Sequence, residues 1–299
     1  IPKKRLIKPR KDIPWMSTHA GAPFIEIIDK KKFLANVYIS GRSEDNKSRI
    51  GLAKISFEGD EPKIIKIFKK PILNIPKYRG FFDTDGVLYP EILNINKKKY
   101  LYYCGWNNFK SFKYNCNIGL AINNSGKFNR ISKAPLFNLN DIDPIGTASF
   151  SIIKIKNKYL MYYTSFDPWK KRKGEIIHNY FIKIATSNDG LNWTRNGKVA
   201  IPLKKKEIAV AKPSVFKLGD QICMLFSARK ENYQIYFATS KDGLHFKRKK
   251  NAIKLKSGKW SSNSQCYPAY VDFGNKKFLL YCGNYYGKTG VGYAEITYF

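Results

Sequence analysis

The sequence predicts an all-β fold, a five-bladed β-propeller of four-stranded antiparallel blades occupying residues 1–299 as a single domain, its ring closed by the N-terminal strand. Three observations carry this expectation. First, a short unit repeats: Ala185-Thr-Ser-Asn-Asp-Gly-Leu-Asn-Trp193 returns as Ala238-Thr-Ser-Lys-Asp-Gly-Leu-His-Phe246, and in worn form as Ala121-Ile-Asn-Asn-Ser-Gly-Lys-Phe128. Each copy is an apolar strand ending in Ala, a polar turn and an aromatic residue that opens the next strand, which is hairpin chemistry. Second, aligned on its small residue the unit falls at Ala53, Ala121, Ala185, Ala238 and Ala294, and four strands at such a period are the signature of propeller blades. Third, hydrophobic residues make up 43% and aromatics 15% of the chain, rich in Tyr and Phe, which favours strands and a sizeable core over disorder.

Each copy supplies its strands in order. The innermost are expected at Pro23–Ile28, Pro90–Ile95, Ser149–Ile155, Pro213–Leu218 and Pro268–Phe273. The second strands follow a polar turn at Phe33–Tyr38, Tyr100–Tyr103, Tyr159–Tyr163, Ile222–Phe226 and Phe278–Tyr281. The Ala-bearing strand is third, and the strand after the turn is fourth. The fifth copy stops soon after Tyr293-Ala-Glu-Ile296 and lacks a fourth strand; Lys4-Arg-Leu-Ile-Lys8 is expected to supply it and cover an otherwise open edge. Long inserts, Cys104 to Asn117 and Ser165 to Asn179, separate second and third strands in two copies and belong on one rim, where recognition concentrates.

Composition narrows the function classes. The five cysteines have no Cys-x-x-Cys spacing, and His19, His178 and His245 stand at no ligand spacing, so reduced thiols, a cytoplasmic location, and neither metal nor cofactor are expected. No apolar run is long enough to cross a bilayer and no signal-peptide pattern is present, so a soluble protein is expected. A formal charge of +33, from 55 Lys and Arg against 22 Asp and Glu, suits phosphate-bearing or acidic partners, including an anionic sugar, a nucleotide- or phosphate-linked sugar, or peripheral contact with an anionic membrane face. The cations are mainly Lys and spread over the whole chain, so a Lys-rich compositional bias explains them equally. No nucleic-acid-binding module accompanies them, and no specific nucleic-acid partner is expected.

In a propeller the first strands converge on a central channel, so carboxylates at their starts are candidates for chemistry. Asp83 and Asp85 precede the second blade with Glu91 inside its first strand, Asp141 and Asp143 precede the third, and Glu207 precedes the fourth. Glycosyl transfer uses two carboxyl groups, about 5–5.5 Å apart for retention or about 6.5–9.5 Å for inversion. Each Asp reads equally well as a turn or strand-start cap. Glu207 stands out because it adjoins the apolar Ile208-Ala-Val-Ala211. Glu207, Asp83 and Asp143 are therefore the catalytic candidates. The binding candidates are His19, Arg42, Lys212 and Arg229 for an anionic group, with Trp106, Asn107, Tyr267 and Asn284 at matching rim positions, where aromatic faces stack on sugars. Inter-blade salt bridges and wedge packing are the alternative roles for Arg42, Arg229 and Trp106. Arg49 is given a structural role, and Asp189-Gly190 and Asp242-Gly243 are turn devices.

The segments Ser17-Thr-His-Ala20, Ser40-Gly-Arg-Ser-Glu-Asp-Asn-Lys-Ser-Arg-Ile-Gly51, Tyr102-Tyr-Cys-Gly-Trp-Asn107, Glu207-Ile-Ala-Val-Ala-Lys-Pro213 and Gly283-Asn-Tyr-Tyr-Gly-Lys-Thr-Gly290 resemble a bacterial group of glycosidase-like propellers often found in surface-polysaccharide gene clusters. That group is similar to the five-bladed glycoside hydrolase family 43/32 superfamily and to the N-terminal domain of plant glucosamine inositolphosphorylceramide transferase. The resemblance covers essentially the whole chain and implies a carbohydrate-active enzyme that cleaves or transfers a glycosyl unit in surface-glycan metabolism. It implies Glu207 as counterpart of the fourth-blade general acid and Asp143 or Asp83 as that of the middle-blade Asp. The chain departs from the pattern where family hydrolases carry a first-blade Asp, because His19-Ala-Gly-Ala-Pro23 stands there, and Trp260-Ser-Ser-Asn-Ser-Gln-Cys-Tyr-Pro268 carries no acid. A non-catalytic glycan-binding propeller is the second expectation.

Overall fold

The computed structural model describes residues 5–108, 114–172, 175–256 and 258–297. Strands dominate it, and they pair in consecutive groups of four. Strand β1 (Arg5–Ile7) stands apart at the N-terminus. The first set is β2 (His19–Asp29), β3 (Leu34–Arg42), β4 (Ser48–Ser56) and β5 (Lys63–Ile67); the second is β6 (Gly86–Ile95), β7 (Lys98–Asn107), β8 (Asn115–Asn124) and β9 (Lys127–Arg130). In the third, β10 (Thr147–Ile155) and β11 (Lys158–Phe166) are followed by a separate hairpin, β12 (Lys170–Arg172) and β13 (Glu175–Ile177), before β14 (Tyr180–Ser187) and β15 (Thr194–Ile201). The fourth is β16 (Ala209–Leu218), β17 (Gln221–Arg229), β18 (Tyr233–Ser240) and β19 (Lys247–Arg248). The last is β20 (Cys266–Asp272), β21 (Lys277–Cys282) and β22 (Val291–Glu295), with β1 pairing antiparallel to β22. The expected first, second and Ala-bearing strands fall on these elements, with Phe33 and Phe273 one residue outside β3 and β20.

The polar turns work as the sequence suggests. Asp189 accepts the N–H groups of Leu191 and Asn192, and Asp242 those of Leu244 and His245. These bonds to the charged form hold both carboxyls below the usual range. Each turn also reaches the preceding set, because the Gly190 carbonyl accepts the Tyr102 hydroxyl and the Gly243 carbonyl that of Tyr162, the latter at 2.7 Å.

Every innermost strand carries a bulge at the same place: Ala22-Pro23, Tyr89-Pro90, Ala148-Ser149, Lys212-Pro213 and Tyr267-Pro268 fall outside the ladder with the second strand. At four of them the first residue is left-handed, with φ of 45° at Ala22, 54° at Tyr89, 48° at Lys212 and 56° at Tyr267. Such strain persists only where the surroundings hold it. At three of these four the freed N–H is taken by the second strand of the adjoining set: Tyr89 N–H donates to Ser40 Oγ at 2.9 Å and Tyr267 N–H to Ser227 Oγ at 2.8 Å. Ala22 N–H donates to Cys282 Sγ at 2.9 Å, which links the first set to the last. All five cysteines are buried and free.

Outside each bulge, the segment before the first strand lays a side chain across the second and third strands. Trp15 covers Gly41 and Gly51, where an added Cβ would fall 2.5 and 2.2 Å from ring carbons. Trp260 covers Gly283 and Gly292 in the same way. We expect Gly51→Ala to cost about 1–3 kcal/mol through overpacking, measured by chemical denaturation; unchanged stability would mean that Trp15 moves aside freely.

Candidate functional site

The bulges surround a cavity of about 650 Å³. Ala22, Tyr89, Ala148 and Tyr267 line it, the equivalent residues of four different sets, and the walls rise through His19, Ser40, Arg42, Trp106, Ser149, Thr164, Tyr180, Arg229 and Tyr233. Both inserts reach it as well, contributing Asn108 and Tyr114 from one and Ile177 and His178 from the other. The rest of the first insert's tip, residues 109–113, lies outside the described residues.

The two arginines are held on aromatic surfaces. Arg42 lies 5.7 Å from the centroid of Trp106, donates to Asn46 Oδ1 at 3.1 Å, and has its pKa lowered by burial. Trp106 is fixed by its indole N–H on Ser48 Oγ at 2.7 Å. Arg229 lies 5.2 Å from the Tyr233 ring and donates to the Tyr286 hydroxyl at 3.2 Å, while its buried Nε has no hydrogen-bond partner among the described residues. Around it the Tyr180 and Tyr233 hydroxyls bond to each other, and Tyr114 pairs with His178 Nε2 at 2.7 Å. His19 shares a 2.9 Å bond with the Thr18 hydroxyl. Burial first, then Arg42 and Lys288, lower its pKa to about 4, so its imidazole is neutral at pH 7.

Among the described residues no Asp or Glu lines this cavity. The three expected catalytic acids are not brought together; each is clasped by its own arginine from the fourth strand of its set. Asp83, fully buried, accepts Arg130 Nε at 2.6 Å and the Tyr103 hydroxyl at 3.1 Å. Asp143, also fully buried, accepts Arg195 at 2.9 Å, Lys183 at 3.1 Å, Tyr163 at 3.0 Å and Ser165 at 2.6 Å. Glu207 takes both Arg248 amino groups, at 2.5 and 2.8 Å, and Lys204 N–H at 2.9 Å. Burial opposes ionisation of Glu207, but Arg248 and the Lys204 N–H more than offset it and leave the pKa below the ordinary value. The physical reason is repetition: these acids precede the first strands at the place where Trp15 and Trp260 pack in other sets, so they are pinned to the outer sheet and away from the channel.

The binding candidates divide. His19, Arg42, Trp106, Arg229 and Tyr267 share the cavity. Lys212 occupies the fourth bulge and is buried, outside the lining of the cavity. Asn107 and Asn284 do not line it. Asn107 accepts Thr84 N–H at 2.8 Å and donates to the Phe81 carbonyl at 2.7 Å, while Asn284 accepts the N–H groups of Asn263 and Ser264 at 2.9 Å. Both are loop struts. Arg49 ion-pairs Asp45 at 2.8 Å, which is a structural role. Asp85 sits at the rim, accepting Asn108 N–H at 2.8 Å with Lys47 at 3.5 Å. Sequence reasoning missed Tyr89, Tyr114, His178, Tyr180 and Tyr233. Tyr89 was within reach, since it precedes Pro90 as Tyr267 precedes Pro268.

The fold and cavity define an all-β molecule built like glycosidase-type propellers. Solved structures similar over nearly the whole chain include a glycoside hydrolase (TM-score 0.73, 14% identity, 99% of this chain and 91% of that one). They also include a member of the GH130 family of mannoside phosphorylases and glycoside hydrolases (0.72, 18%, 98% and 91%), and a thermostable family-43 glycoside hydrolase (0.67, 16%, 94% and 90%). At such identities the likeness speaks for fold alone. The chain belongs to the family of two Mycobacterium tuberculosis proteins, Uncharacterized protein MT1551 of strain CDC 1551 and Uncharacterized protein Rv1502 of strain H37Rv. It is 34% identical to each over 298 residues, covering 98% of this chain and 97% of theirs. No family model matches it. Among the described residues, no helix is long and apolar enough to cross a membrane.

Proposed function

We propose that this chain is a carbohydrate-active five-bladed propeller, closed by β1, whose central cavity takes a glycosyl unit bearing or meeting an anionic group, phosphate foremost, and transfers it in surface-glycan metabolism. The observation that carries this reading is the cavity wall itself: Arg42 and Arg229 stand on aromatic faces in a space of sugar size that, among the described residues, no carboxylate lines. A hydrolase of the two-carboxylate kind needs acids at the scissile bond. A reaction that breaks a C1–O bond with a phosphate oxygen as nucleophile or leaving group needs cations to hold that phosphate, which such a wall supplies. Asp83, Asp143 and Glu207 are then clasps rather than reacting groups.

The absence of a lining carboxylate among the described residues also favours a second reading, a glycan-binding propeller without turnover. Titration calorimetry with a hexose 1-phosphate, a hexuronate and the neutral hexose separates these ideas. We expect the anionic sugars to bind and the neutral one to bind far more weakly. Arg42→Gln and Arg229→Gln should each weaken anion binding by about 10- to 100-fold, the worth of a charge-assisted hydrogen bond. Equal affinity for all three sugars would sink the anion reading, and binding with no glycosyl transfer would favour the binding module.

A further inference from the structure

Below the cavity wall the molecule holds a second layer of chemistry. Of the five leading bulge residues four, Ala22, Tyr89, Ala148 and Tyr267, line the cavity. The fifth, Lys212, is the only charged residue of the five and is 2% exposed. Its left-handed backbone, φ 48°, is tied by Lys212 N–H on Ser149 Oγ at 2.9 Å, and Ser149 in turn bonds Thr164 at 2.9 Å. Both of these hydroxyls line the cavity.

Just past the bulges, side chains link neighbouring sets. Ser151 Oγ there accepts Val215 N–H at 3.1 Å, and Ser214 Oγ accepts Tyr270 N–H at 3.2 Å. In the second set the counterpart of Ser214 is Glu91, whose Oε1 accepts Ile152 N–H at 2.6 Å and Ser151 Oγ–H at 3.5 Å. A serine suffices for the link between sets, so the carboxylate adds a charge that the link does not require. Glu91, 5% exposed, and Lys212 are thus both held on β10, Glu91 at Ser151 and Ile152 and the Lys212 backbone at Ser149.

We propose that Lys212 and Glu91 are a proton-sharing floor of the site: an anionic group of the ligand settling over Lys212 replaces Glu91 as its counter-charge, and Glu91 takes up one proton from solvent. This rests on the anionic-ligand reading above and deepens it. Other groups on the strands around Glu91 are otherwise engaged. His19 on β2 bonds Thr18, Arg42 on β3 bonds Asn46, Arg49 on β4 pairs with Asp45, and Tyr102 on β7 bonds the Gly190 carbonyl. Cys282 on β21, which accepts Ala22 N–H, acts on Lys212. Burial pushes the Glu91 carboxyl up to about 7 against the pull of Lys212, so a change in the Lys212 field moves a proton near neutrality.

The test is calorimetric titration of the full chain with inorganic phosphate and with a hexose 1-phosphate, in buffers of differing protonation enthalpy between pH 6 and 9. We expect uptake of a large fraction of one proton per anion, greatest between about pH 7 and 8. In the Glu91→Gln/Lys212→Met double variant, which removes both charges together, uptake should vanish while the arginines still bind the anion several-fold more weakly. Binding that is lost in Arg42→Gln and Arg229→Gln but moves no proton in the parent would overturn the floor and leave the ligand reading standing. Uptake that persists in the double variant would also overturn it. No binding of either probe to the parent overturns both.

Discussion

Asp143→Ala is expected to destabilise the protein by about 3–5 kcal/mol, because it strands a buried ion pair and its hydrogen bonds. Asp143 is fully buried and holds Arg195, Lys183, Tyr163 and Ser165 at once, so its loss leaves two cations and two hydroxyls without their acceptor. Asp83→Ala and Glu207→Ala act in the same direction, each freeing one arginine, Arg130 or Arg248. Denaturant unfolding followed by tryptophan fluorescence measures the loss. Glu207→Gln gives the complementary reading, since it keeps the shape and removes the charge. If that variant keeps its denaturation midpoint but loses all glycosyl transfer, the carboxylate reacts and the clasp assignment is wrong.

The Glu91 and Lys212 variants are expected to show a large effect with a distinctive pH dependence. The folded pKa of Glu91, about 7, lies above its ordinary 4.5. Its contribution to stability is therefore fully present below about pH 4.5 and is lost as the pH rises through about 7. Lys212→Met removes the cation that opposes this rise, so the loss of stability should continue to higher pH than in the parent. Glu91→Gln leaves a buried ammonium without its carboxylate. Burial lowers the Lys212 pKa, with Glu91 and Cys282 working against it. This variant should be destabilised most above about pH 7, where the parent carboxyl is ionised, and recover as Lys212 deprotonates in alkali. The double variant should regain most of the loss. A double-mutant cycle with no coupling at pH 7 would show that the two groups do not sense each other.

Much of the frame is legible because it depends on local rules. Asp189-Gly190 and Asp242-Gly243 make their turns from their own side chains and backbone, and β2, β6, β10, β16 and β20 each cover the first-strand segment that alternation and proline mark. The pairing of β1 with β22 was likewise readable from an unfinished last repeat. The site was legible only in part. Arg42, Arg229, His19, Trp106 and Tyr267 were found because they sit at strand ends that repeat. Tyr180 and Tyr233 were missed because a tyrosine in an apolar strand looks the same whether it faces a core or a channel.

The chain's own pattern determined the strand order, the turns and the short list of carboxylates and cations. Only the tertiary structure decided their roles. Asp83, Asp143 and Glu207 precede first strands, and nothing in the sequence tells whether such a residue points to the channel or back across its own sheet. The arginines that answer the question, Arg130, Arg195 and Arg248, lie 41 to 52 residues away on fourth strands. Conversely Glu91, read as one candidate among several, is held at Ser151 and Ile152 of β10, the strand whose Ser149 also holds the Lys212 backbone. A one-residue shift at a bulge reverses which face a side chain takes, and that shift is settled by packing between sets, which no single stretch of sequence contains.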